Sequence, residues 1–145
     1  MQRLLVDSGP LVALFDADDR WHQAVSDFLK EYRGELLTSA ANVTEAAWIA
    51  ATVSDRMLAN FLTWLHRGAI AVCNLELQDF SRIAALSAQY RTLRPDFADL
   101  ALLALAERLK LDRVLTLDKK DFTVYRLKNG RPLRNVLDVE KPRRR

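Results

Sequence analysis

Six of the 19 acidic residues in this 145-residue chain stand where a carboxylate can do chemistry. Asp7 ends the apolar run Leu4-Leu5-Val6 and is followed at once by Ser8-Gly9-Pro10. Glu45 lies in "NVTE", Asp96 and Asp99 open the apolar run "PDFADLALLALAERL", and Asp118 and Asp121 lie in "LTLDKKDF". Carboxylates that converge on one side of a sheet repel one another unless cations sit between them. The chain has two histidines, His22 and His66, and one cysteine, Cys73, so it offers no soft ligand cluster. A ligand set of hard oxygens suits Mg²⁺ or Mn²⁺ rather than zinc. An acidic cage of that kind commonly cleaves phosphoryl esters and needs no histidine to do so.

Each acid also has a structural reading. Asp7 could cap a helix starting near Pro10. Asn42 and Glu45, three apart, nearly match a capping box. Asp96 and Asp99 share one helix face, and acids in a first turn complement the helix dipole. "DKKD" reads equally well as a turn. Asp99 leans towards function, because the apolar residues after it are destined for burial, and an uncompensated buried carboxylate is expensive. His22 reads as structural or as lying on a helix surface. Trp21, Trp48 and Trp64 read as core or interface residues rather than base-stacking platforms. Cys73, in "AIAVCNL", reads as a small buried hydrophobe, which fits a reducing compartment.

The elements that must position these acids alternate in type. Residues 3–6, "ELLTS", "AIAVCNL" and "RVLTLD" read as short buried strands, with "FTVYRL" expected as a fifth. Amphipathic or apolar segments between them read as helices: "PLVALFDA", "DDRWHQAVSDFLKEY", "NVTEAAWIAATV", "RMLANFLTWLHRG", "QDFSRIAALSAQYR" and "DFADLALLALAERLK". Strands separated by helices give an α/β fold with a mainly parallel sheet. In such sheets sites form beyond the carboxyl ends of the strands, where Asp7 and Asp118 are expected.

Composition sets the frame. With 50% hydrophobic and 28% charged residues and only four Gly and four Pro, the chain reads as a single globular domain over residues 1–140. Residues 126–145 hold eight Lys/Arg against two Asp/Glu, which leaves 14 basic against 17 acidic residues in 1–125. An acidic body with a basic end, finishing in the tail 141–145, suits contact with a polyanion. No apolar stretch is long enough to span a membrane, and Asp7 interrupts any signal-peptide pattern, so a cytoplasmic location is expected. Aspartyl-phosphate chemistry at Asp7 is disfavoured, since the phosphatase type wants a second aspartate where Gly9 stands.

In order and context, "LLVDSGPLVALFD", "NVTEA", "PDFADLALLALAERL" and "RVLTLDKKDF" resemble a PIN domain, most closely the VapC-like ribonuclease toxins of prokaryotes. The resemblance implies a three-layer α/β/α sandwich and metal-dependent cleavage of RNA. It maps the family's acids onto Asp7, Glu45, Asp99 and Asp118 as catalytic and metal-binding residues, with Asp96 and Asp121 as further candidate ligands. Ser8 and Thr116 match its accompanying hydroxyl residues, which are expected to orient the carboxylates or a water. A VapB-like antitoxin and a homodimer are the implied partners. The alternative is a PIN-like module that binds RNA or protein without cutting, which would be expected to lack one or more of the acids.

Overall fold

The computed structural model describes residues 2–137; the end of the expected domain and the 141–145 tail lie outside the described residues. Five parallel strands form one sheet in the order β3-β2-β1-β4-β5. They are β1 (Arg3–Val6), β2 (Glu35–Ser39), β3 (Ala71–Cys73), β4 (Arg113–Leu115) and β5 (Arg134–Asn135). The helices are α1 (Ser8–Phe15), α2 (His22–Glu31), α3 (Ala40–Val53), α4 (Asp55–His66), α5 (Leu77–Gln89), α6 (Phe97–Leu109) and α7 (Lys119–Val124).

Side chains on a strand alternate between faces, and in β1 the alternation divides the core. Leu4 and Val6 join one cluster with Leu11, Ala46, Phe61 and Leu115. Leu5 joins another with Ile83, Leu86, Leu103, Val114 and Tyr125. Two cores on two faces of one sheet make the three-layer α/β/α sandwich. Helix α6 is apolar on nearly every side and is buried from Ala98 to Ala106, so it is a central helix rather than an amphipathic cover. Arg108 anchors it to α5 through Asp79 at 3.0 Å, and Glu107 takes both Arg82 Nε and Nη2, at 2.7 and 2.9 Å.

One expected strand is a helix. In "FTVYRL" the buried residues of the first turn are Phe122 and Tyr125, three apart, while Thr123 and Val124 are exposed. That is helical spacing. Asp118 caps α7 by accepting the Asp121 N–H at 3.1 Å, and this local bond outweighs the strand preference of the Phe-Thr-Val-Tyr run. The fifth strand lies further on, at Arg134–Asn135, paired with β4.

Sheet order reverses between β1, whose chain continues to β2, and its other neighbour β4. This switch point is where an open parallel sheet leaves a crevice past its strand ends. Asp7 follows β1, and Asp118 follows β4 by three residues.

Candidate active site

Three helices begin at the carboxyl edge of the sheet with an aspartate at the cap. Asp7 caps α1 by accepting the Ser8 N–H at 2.8 Å, Asp96 caps α6 through the Asp99 N–H at 3.0 Å, and Asp118 caps α7. Capping and site-building therefore coincide in the same side chains. Glu45 differs. The cap of α3 is Ser39, whose hydroxyl accepts the Asn42 N–H at 3.0 Å and donates to the Asn42 side-chain oxygen. Asn42, the third residue of α3, is thus the partner of the cap, and the expected Asn42–Glu45 box does not form. Glu45 falls in the second turn, half-buried, and free to face the crevice.

Oxygens of Asp99, Asp118 and Asp121 lie within 4.8 Å of one another. Asp7 is 6% exposed and Asp99 8%, so both are charges held largely away from water. Burial is the main cause that pushes Asp7 up to about 6, although the Thr116 hydroxyl and Ser8 N–H pull it back; the charges of Glu45 and Asp118 add to the rise. Burial also drives Asp99 up to about 8, reinforced by Asp7, Asp96 and Asp118. Burial raises Glu45, with Asp96 as the next cause and the Ser8 hydroxyl opposing. Asp118 is raised by burial first, and by the charges of Asp121 and Asp96. Charge effects link Asp7 to Glu45 and Asp118, and Asp99 to Asp7, Asp96 and Asp118, whereas the close cluster of carboxylate oxygens among the described residues is that of Asp99, Asp118 and Asp121, without Asp7 or Glu45.

The hydroxyl residues sit as expected beside them. Thr116 Oγ1 donates to Asp7 Oδ2 at 2.7 Å and accepts the Asp118 N–H at 3.0 Å, tying the acids of β1 and β4 together. Two residues with no expected role in the site also belong to it. Fully buried Asn42 donates from Nδ2 to Asp7 Oδ1 at 3.1 Å and to Ser8 Oγ at 2.9 Å. Buried Tyr125 donates to Asp99 Oδ2 at 3.3 Å, and its own ionisation is pushed upward by burial and then by the Asp99 charge. The signal for Asn42 is present in "TSAANVTE", as an amide one helical turn before the glutamate; nothing in the sequence marks Tyr125. His22 stays outside the site, its Nδ1 2.7 Å from the Ala13 carbonyl, where it joins α2 to α1.

A buried set of oxygen donors with raised proton affinity is suited to a hard divalent cation, which would replace the protons and offset the repulsion. The PIN domain profile matches residues 4–127. This chain belongs to the PIN-domain family. Ribonuclease VapC26 of Mycobacterium tuberculosis is 31% identical over 125 residues, which span 85% of this chain and 92% of that relative. The fold is similar to that of Mycobacterium tuberculosis VapC20, a sarcin–ricin loop cleaving toxin, with a TM-score of 0.76 and 13% identity over 83% of this chain and 94% of VapC20. It is also similar to DNA-bound VapBC of Salmonella typhimurium, with a TM-score of 0.63 and 13% identity over 85% of this chain and 92% of that one. A toxin–antitoxin complex from Klebsiella pneumoniae likewise gives a TM-score of 0.63, with 21% identity over 82% of this chain and 89% of that one. In this PIN domain Thr116 and Asn42 hold both oxygens of Asp7, and Tyr125 holds one oxygen of Asp99.

Proposed function

We propose that this PIN domain is a metal-dependent endoribonuclease, the toxin of a VapBC-type pair, using Mg²⁺ or Mn²⁺ held by Asp7, Glu45, Asp99 and Asp118, with Asp121 and Asp96 as further ligands. The observation that carries the reading is the cluster of Asp99, Asp118 and Asp121 oxygens within 4.8 Å at the switch point, together with Asp7 and Asp99 both raised by burial and by their acidic neighbours. A divalent ion bound there supplies Lewis acidity towards a phosphodiester and lowers the pKa of water.

The chain's own residues do the rest. Thr116 and Asn42 fix the Asp7 carboxylate, leaving lone-pair capacity for a further partner. Tyr125 orients Asp99, and the N–H of Asp121 fixes Asp118. Carboxylates already positioned would hold a cation without reorganisation as charge develops on the phosphate. Without a cation the same crevice repels RNA.

The similarity to VapC26 and to VapBC assemblies supports a VapB-like antitoxin. Trp48 is 72% exposed and Leu77 90%, and exposed Phe80 and Phe97 stack with centroids 6.4 Å apart. Trp48 and Phe97 line a cavity of about 630 Å³ beside Glu45 and Asp96. An exposed apolar patch of this kind marks an interaction surface and supports a homodimer through α3, α5 and the start of α6.

The test is cleavage of a mixed RNA pool by wild type and Asp7→Asn with Mg²⁺, with Mn²⁺ and with EDTA. Metal-dependent cutting, abolished by EDTA and reduced roughly a hundredfold or more in the variant, is expected. Cutting that survives EDTA, or none by antitoxin-free wild type in either metal, would sink the reading; the latter would favour a binding module.

A further inference from the structure

A second concavity shares a helix with the acids. Asp121 lies on one side of α7, whereas Phe122 and Thr123, turned away by the 3.6-residue period, face a cavity of about 550 Å³ between α7 and β5. Phe122, Leu133, Val136 and Leu137 make its apolar floor, Arg126 and Arg134 stand on its rim, and no acidic side chain is among its described lining. We propose that this cavity is a subsite for a nucleotide of the bound RNA strand next to the cleaved bond, an inference that rests on the ribonuclease reading.

Charge selects the ligand. The surface changes from carboxylates to guanidiniums across a single helix, a distance of about 10 Å. A strand held by its phosphate in the crevice meets cations one helix width away, the arrangement that tracks a nucleic-acid backbone. Arg126 is set in place, because its Nη1 donates to the carbonyls of Thr123, Val124 and Tyr125 at 2.6, 3.1 and 2.9 Å. Among the described residues its Nε and Nη2 have no hydrogen-bond partner and can donate to an anion. Arg134 is exposed and has no ion-pair partner among the described residues. The apolar floor and the volume suit a base, being in the range of small-ligand pockets. The chain's own continuation beyond Leu137 begins with the acids Asp138 and Glu140 before Lys141, Arg143, Arg144 and Arg145, so it is the competing occupant that the melting-temperature comparison below tests.

Two full-length variants test this by fluorescence anisotropy of a labelled single-stranded RNA in Ca²⁺. Arg134→Glu reverses a rim charge on an exposed strand. It should weaken binding about tenfold and flatten the slope of log affinity against log salt by about one. Thr123→Trp fills the cavity without a charge change, and should weaken binding about as much with the salt slope intact. Neither should alter Mn²⁺ affinity. If wild type binds and cleaves RNA while both variants bind it as well as wild type, the subsite is wrong and the ribonuclease reading stands. A wild type that neither binds nor cleaves RNA removes both. A lower melting temperature for Thr123→Trp with unchanged RNA affinity would assign the cavity to the chain's own following segment and overturn the proposal.

Discussion

Asp7 is a cap and a site residue at once, and the two roles use different parts of its hydrogen-bonding capacity. Its oxygens accept from Ser8 N–H, Asn42 Nδ2 and Thr116 Oγ1, three bonds for about four lone-pair positions. Burial still raises it to about 6, and Asp99 to about 8. The folded, metal-free state therefore binds more protons than the unfolded chain, whose aspartates titrate at an ordinary 3.8, so its stability falls as pH rises. The loss begins above about pH 4, as the unfolded aspartates ionise, and is complete once Asp99 has ionised, above about pH 8. Metal-free protein should melt at a higher temperature at pH 5 than at pH 8, and added Mg²⁺ should raise the midpoint more at pH 8. A melting temperature that rises from pH 5 to pH 8 without metal would contradict this.

At the scale of elements, strand-to-helix junctions build the crevice, and each places its helix start by a local bond. Ser39 ends β2 and caps α3, and its reciprocal bonds with Asn42 aim the amide that holds Asp7. Ser39→Ala should cost about 1 kcal/mol, the usual value of a lost cap, read as a lower urea midpoint with an unchanged m-value. It should also weaken Mn²⁺ binding by loosening Asn42. Unchanged stability would mean that the cap carries no weight. The same junctions explain how much of the site is legible in the sequence. Strand, acid and helix start lie within a few residues of one another around Asp7 and Asp118, so local patterning suffices there. Tyr125 reaches Asp99 from 26 residues away, and β5 pairs with β4 across a loop; both depend on tertiary packing that no local period records. The Phe-Thr-Val-Tyr run misleads because its β-branched residues favour a strand, and only the Asp118 cap and the Phe122–Tyr125 spacing decide for a helix.

The whole molecule presents two unlike surfaces to the same crevice. On one flank lie exposed Trp48, Phe80 and Phe97; beyond α7 lie Arg126 and Arg134. The first suits a second copy of the chain and the second an anionic strand, so assembly and substrate need not compete for one face. Trp48→Glu, at an exposed helix position, should leave the fold intact while shifting the mass measured by light scattering from dimer to monomer. A wild type that is monomeric at micromolar concentration would remove the homodimer. The function proposed for this molecule depends on a divalent ion that lets neighbouring carboxylates tolerate one another at the switch point of the sheet. Calorimetric titration of Mn²⁺ into antitoxin-free protein at pH 8 tests that most directly, with Asp99→Asn and Asp118→Asn alongside. Saturable binding by wild type and its loss in both variants is the predicted result; no binding by wild type, or equal binding by the variants, would contradict the account.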